Sequence, residues 1–219
     1  MEQAIVDFII VVLGILFALL VNRLNEKRKH RKRIHSIMDI VIDNMKLDLK
    51  KIKARIILID NDSKLYNKFI QDKNFDDDIL QQCSLMPINV PSFEITTRGY
   101  NLLKDARIDF EFKDSKLITK ITLFYKIWVT YIQKAQEEVL MDLAVKNTKH
   151  QSSFNWFHDV FINKNRSNKD FLEYLRTDDF KNRLTYKHWV ETTVLRRYLF
   201  EYRKGIEDLL EEIEASTYK

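Results

Sequence analysis

Apolar and polar positions alternate along this chain in three long helical patterns joined by shorter polar stretches. From Ile34 onward, apolar residues recur at Ile37, Val41, Met45, Leu49, Ile52, Ile56, Ile59, Tyr66 and Phe69. Steps of three and four are the signature of one helix face, so one long helix is expected over residues 22–73, continuing from the segment before it. Ile40, Ile42, Leu47, Ile57 and Leu58 widen that face beyond a two-in-seven coiled-coil seam, which favours packing inside a bundle over self-pairing as a coiled coil. A second pattern, to about Asn147, carries the stripe Leu117, Ile121, Phe124, Trp128, Tyr131 or Ile132, Ala135, Val139 and Leu143. Asp114 or Ser115 is placed to cap it. A third, about Asp178 to Ala215, carries Tyr186, Trp189 or Val190, Val194, Tyr198 or Leu199, Tyr202, Ile206, Leu209 and Ile213. Between them lie short expected helices at Ile79–Leu85, Glu94–Asp105, Phe154–Phe161 and Asp170–Leu175. Met86–Phe93 reads as an extended connection around Pro87 and Pro91. Arg107–Phe112 alternates like a strand but has no partner strand, so it reads as a connector.

The start of the chain differs from all of this. Phe8 to Val21 is fourteen residues without a polar side chain, and Ala4–Val21 is eighteen interrupted only by Asp7. Eighteen helical residues rise roughly 27 Å, near the ~30 Å of a bilayer core. The expectation is a membrane anchor at 1–22, a basic juxtamembrane segment at 23–36 and a helical bundle at 37–219. Residues 22–36 hold Arg23, Lys27, Arg28, Lys29, Arg31, Lys32 and Arg33 against Glu26, so 7 − 1 = +6. The positive-inside rule then puts the bundle in the cytoplasm, in a single-pass protein of the inner membrane. Those seven residues are the candidate contacts for anionic lipid. Gly14 and Ala18 form a small-xxx-small pair suited to close helix packing. Asp7 is either an anchor at the headgroups or an ion-coupling carboxylate.

Composition sharpens the picture. Only 3 Gly and 2 Pro occur in 219 residues, which argues for long helices over strands and turns. The formal net charge is +5, and removing the +6 block leaves −1 for everything else. The single Cys83 excludes an internal disulfide. None of the five histidines sits in a His-Glu-x-x-His arrangement, three glycines cannot build a phosphate loop, and no Gly-x-Ser-x-Gly is present. Asp76, Asp77 and Asp78 lack the Gly and terminal Glu of a calcium loop and read as a capping cluster. No catalytic, cofactor or metal site is expected.

Asp7, the apolar run with Gly14-Ile-Leu and Ala18-Leu, then Asn22, Asn25-Glu26 and a basic stretch, resemble the opening of a family of bacterial single-pass membrane proteins of unknown function. Asp7 stands where Glu is usual and Leu24 where Trp is usual, and the family's basic segment before the span is missing here. Thr97…Tyr100…Leu103 and Asp179-Phe-Lys-Asn182 are also similar. The resemblance implies architecture and no activity.

The fold expectation is therefore all-α. The function expectation is a membrane-anchored scaffold or adaptor without catalytic activity, a homo-oligomer in contact with the lipid bilayer and a protein partner the sequence does not name. One alternative is a module binding anionic lipid, or less readily nucleic acid, through the basic segment. The other is a subunit of an ion-coupled membrane assembly using Asp7, since an acidic residue heading a lone N-terminal helix also resembles the stator subunits of ion-driven bacterial motors.

Overall fold

A computed structural model describes residues 2–71, 76–91, 93–106 and 115–217, without the side chains of 2–9, 11, 115 and 217. Every regular element described is helical. The expected connector at Arg107–Phe112 and the cap at Asp114 lie outside the described residues, as does the side chain of the other candidate cap, Ser115.

Helix α1 spans Glu2–Gln71 without a break, as expected of a stretch with no Gly or Pro between Ile15 and Met86. Its seventy residues run about 105 Å. Then follow α2 (Asp77–Cys83), α3 (Arg98–Asp105) and α4 (Ser115–Gln133). A π-helical segment, π1 (Lys134–Met141), passes directly into α5 (Asp142–Gln151). After α6 (Phe157–Phe161) and α7 (Lys169–Leu175), α8 (Asp178–Trp189) runs through a second π segment, π2 (Val190–Leu195), into α9 (Arg196–Thr217). Starts follow side-chain chemistry. Asp76 accepts from the Asp78 amide, Asn168 from Phe171 and Thr177 from Phe180, each satisfying an amide the helix leaves unpaired.

Two hydrophobic clusters share α1. The larger joins Ile34, Ile37, Val41, Met45, Ile52 and Ile59 of α1 to Leu103 of α3, Ile118, Ile121, Tyr125 and Ile132 of α4, and Leu199, Tyr202, Ile206, Leu209 and Ile213 of α9. The smaller is aromatic: Phe69 closes on Leu80, Cys83, Met86, Trp156, Val160, Phe171, Tyr174, Phe180 and Leu184. Thus α1 from Ile34 onward is a bundle helix packed within its own chain. The close approach of α3 to α1 is set by Gly99, where a Cβ would lie 2.8 Å from the Val41 Cα. The Asn44 amide serves the same crossing: with its oxygen turned toward α3 it accepts from the Gly99 N–H at 2.7 Å.

The membrane expectation is corrected. Among the described residues no helix is long and apolar enough to cross a membrane. The uninterrupted apolar run is fourteen residues, roughly 21 Å, well short of a ~30 Å core. Lengthening it takes in Asp7 on one side and the basic block from Arg23 on the other. The single-pass inner-membrane assignment, with its cytoplasmic orientation, falls with it.

Two stripes are also corrected. In the α4–π1–α5 rod, Ile118, Tyr125, Leu140 and Ala144 are buried, while Leu117, Phe124, Trp128 and Val139 pack only partly against the core. In the last rod Leu184, Lys187, Val190, Glu191 and Leu195 are buried, and Tyr186 and Trp189 are exposed. Helix ends moved too: α1 stops at Gln71, α3 starts at Arg98 and α6 at Phe157.

Candidate functional site

Among the described side chains from Ile10 to Arg33 none is buried, His30 being partly covered with its Nε2 enclosed, and Ile34 is the first buried one. These 24 residues form an arm of about 36 Å. Its outer half exposes nine large apolar side chains: Ile10, Leu13, Ile15, Leu16, Phe17, Leu19, Leu20, Val21 and Leu24. Gly14 and Ala18 are exposed among them, and nothing lies within 4 Å of where a Gly14 Cβ would be. The inner half carries the basic residues Arg23, Lys27, Arg28, Lys29, Arg31, Lys32 and Arg33, all exposed. The structure therefore places the predicted packing pair and the predicted basic contacts on one continuous helix, in consecutive turns. The side chain of Asp7, and with it the ion-coupling expectation, lies outside the described residues.

What gives the arm a fixed direction is how firmly the rest of α1 is held, and here the structure adds residues the sequence reading missed. Asp48 is completely buried and binds two other elements at once. Its carboxylate accepts from the Thr96 backbone N–H at 3.0 Å, from the Thr96 hydroxyl at 2.6 Å and from the Tyr202 hydroxyl at 2.7 Å. Burial, with Tyr125 and Asp48 adding, raises the Tyr202 hydroxyl far above the ordinary tyrosine range, so it stays a donor. Lys51 reinforces the join, donating to the Glu94 carbonyl at 3.1 Å and to the Thr96 hydroxyl at 3.0 Å.

Two turns on, Arg55 donates to Glu191 at 3.0 Å, and Lys187 donates to the other Glu191 oxygen at 2.7 Å. All three are buried. Asp62 lies 3.9 Å from Lys187. Burial raises the Asp62 carboxyl above its usual range, opposed by the Lys187 charge. Next to this cluster His188 stacks on Tyr66 with ring centroids 3.9 Å apart. Burial lowers the His188 pKa, and the Glu191 charge opposes the drop. These groups form a charged layer between the two hydrophobic clusters. Removing several charges from water costs several kcal/mol per ion, returned only through close pairing. The layer therefore specifies register along α1 more than it adds stability.

The signal for both anchors was present in the sequence. Asp48 and Arg55 continue the spacing 34, 37, 41, 45, 48, 52, 55, 59, so they are charged residues at core positions. Glu191 had no such signal, because the π turn that points it inward cannot be read from spacing.

Burial pushes the Cys83 thiol up to about 12, with the Asp62 charge adding, so no thiolate is available near neutral pH. His150 bonds Asp179 at 3.0 Å, with Arg183 on the same carboxylate at 2.9 Å. This joins the C-terminal end of α5 to the N-terminal end of α8, where the Asp179 charge suits the local helix dipole. Among the described residues no group of three or more His, Cys, Asp or Glu side chains is placed to hold a metal ion. Asp76 caps α2, as its position in the sequence suggested. No known protein family, curated protein or solved structure matches the chain.

Proposed function

We propose that the protein is a non-catalytic helical scaffold that self-associates through its arm. The observation that carries this is the apolar surface from Ile10 to Leu24, which nothing among the described residues covers. A contiguous exposed apolar surface of this kind marks an interaction site. Burying one such side chain is worth roughly 1.5–3 kcal/mol, while association costs about 4–15 kcal/mol. Three or four residues from each of two arms meet that cost. A second copy supplies a matching apolar length by construction, and Gly14 and Ala18 let two backbones approach closely. The bundle anchors at Asp48 and Arg55 make each arm a stiff extension, so its orientation carries over to the bundles it links.

The test is the mass of the full chain in solution by light scattering and sedimentation. An oligomer is expected, and Leu13→Glu with Leu20→Glu reduces it to a monomer with an unchanged helical circular dichroism spectrum. A monomeric parent at tens of micromolar refutes the proposal.

The exposed basic residues favour a second reading, in which Arg23–Arg33 docks an anionic surface. Binding to anionic vesicles or to nucleic acid would then weaken steeply with salt. Reversing Lys27, Arg28 and Lys32 to Glu would abolish it while leaving the oligomer intact. Binding to neither at low salt removes this reading.

A further inference from the structure

Away from the arm, a cavity of about 470 Å³ opens in the aromatic half of the bundle. It is lined by Ser84 and Leu85 after α2, Val160 and Phe161 of α6, and Lys164 and Arg166 of the following loop. Its wall is apolar at Leu85, Val160 and Phe161 and cationic at Lys164 and Arg166, and among the described residues no acidic one lines it. Ser84 adds no free donor, because its hydroxyl donates to the Gln81 carbonyl at 2.6 Å.

The carboxylate nearest in sequence is committed elsewhere. Asp159 accepts from the side-chain amides of Asn163 at 3.3 Å, Asn165 at 2.8 Å and Asn168 at 2.9 Å. Those bonds hold its carboxyl below the usual range, the Asn168 bond most strongly. They fold the loop back on α6, and the Asn165 backbone N–H also donates to the Asp159 backbone carbonyl at 3.1 Å. The loop so formed carries Lys164 at φ 60°, a conformation that costs a non-glycine residue roughly 1–2 kcal/mol. Lys164 and Arg166 have no ion-pair partner among the described residues. Strain retained at the rim of a cavity, with two uncompensated cations beside an apolar wall, is a complementary surface for one class of molecule.

We propose that this cavity binds a small amphiphilic anion, a carboxylate or phosphate ester with an apolar tail. The tail lies against Leu85, Val160 and Phe161, and the headgroup meets Lys164 and Arg166. Its volume suits a chain of about ten carbons and excludes a folded partner.

The experiment is isothermal titration of the full-length protein with decanoate, decyl phosphate and decanol. Decanoate or decyl phosphate is expected to saturate at one per chain, and the tighter of the two identifies the headgroup. Decanol is expected to bind at least tenfold more weakly. Lys164→Gln with Arg166→Gln changes only exposed side chains and should weaken the anions about tenfold while leaving decanol unchanged. Val160→Phe, which intrudes on the wall, should weaken all three. Saturable anion binding that survives the double charge substitution would place the ligand elsewhere, for instance on the arm, and overturn the assignment. Equal affinity for decanol, or absence of saturation by either anion, also overturns it.

Discussion

Arg55 and Glu191 are 136 residues apart in sequence, yet they meet at 3.0 Å with 3% and 2% of their side chains exposed. Among the described residues Glu191 is the only buried acid paired with Arg55, and it also pairs with Lys187. Neutralising it leaves Arg55 buried without a paired acid and Lys187 with only its longer contact to Asp62 at 3.9 Å. Glu191→Gln should therefore destabilise the bundle by about 3–5 kcal/mol, the usual cost of breaking a buried pair from one side. Replacing all three charges together, with Arg55→Met, Lys187→Met and Glu191→Leu, should recover most of that loss. Urea denaturation of the three proteins checks both statements, and equal losses in the single and triple variants would contradict them.

The same residues show how far the sequence could be read. In α1 the period is regular, and the expected Ile34, Ile37, Val41, Met45, Ile52, Ile59 and Phe69 are all buried. In the last rod the expected stripe holds from Tyr202 to Ile213 and, of the paired choices upstream, at Val190 and Leu199, while Tyr186 and Trp189 are exposed. Lys187, Glu191, Leu195 and Leu199 are buried at three successive steps of four. On an α-helix each such step drifts roughly 40°, and π2 takes up the drift by widening the turn. Projection through π2 at 3.6 residues per turn puts Tyr186 and Trp189 inside, where Leu184 and Lys187 belong. The α4 stripe has a different difficulty: Phe124 and Tyr125 are both aromatic, so periodicity alone does not choose between them. At the arm, apolar content and basic flank were legible, but they describe what a surface is made of and not what covers it.

His188 makes stability depend on pH. Its folded pKa is lowered, chiefly by burial, below the ordinary value of 6.5. Tyr66 stacks on it, and Lys187 and Glu191 are the charges that act on it. Below 6.5 the unfolded chain takes up a proton that the folded chain refuses. Stability is therefore fully present above 6.5 and declines as pH falls toward the folded pKa. His188→Phe keeps a ring against Tyr66 and removes the proton, so its stability should be flatter between pH 5 and 7. Parallel pH profiles of midpoint denaturant for parent and variant would show that His188 is not the responsible group.

Two glycines make unequal predictions. At Gly99 a methyl group would meet the Val41 backbone at 2.8 Å, so helices α1 and α3 must separate. At Gly205 it would meet the end of the Phe124 ring at 2.3 Å, which a side chain can vacate in part. Gly99→Ala should cost about 1–3 kcal/mol as overpacking. Gly205→Ala should cost less, because alanine's better helix propensity returns up to about 1 kcal/mol. Thermal unfolding of the two variants under one buffer gives the order, and a larger loss at Gly205 would reverse the reasoning.

Asp48 is the point where α1, the 93–97 segment and α9 are tied together, through the Thr96 amide, the Thr96 hydroxyl and the Tyr202 hydroxyl. The Thr96 hydroxyl donates to Asp48 and accepts from Lys51, so the group is fully engaged. Asp48→Ala leaves three donors without an acceptor, and a buried unsatisfied donor costs about 1–3 kcal/mol. Lys51 can still hold the Thr96 oxygen, and water can reach the half-buried Thr96, so the expected total is about 2–4 kcal/mol. Tyr202→Phe removes one donor and leaves the carboxylate its two contacts with Thr96, for a loss of about 1–2 kcal/mol. The two variants separate a stability effect from a local one. Both should unfold more easily, but only Asp48→Ala frees the 93–97 segment. Hydrogen exchange at the Thr96 amide should accelerate in Asp48→Ala beyond what the global loss accounts for, and track global stability in Tyr202→Phe. Amides of α7, in the other hydrophobic cluster, should follow the global change in both. If Thr96 exchange in Asp48→Ala followed the global change as well, the segment would be held by its packing and not by the carboxylate.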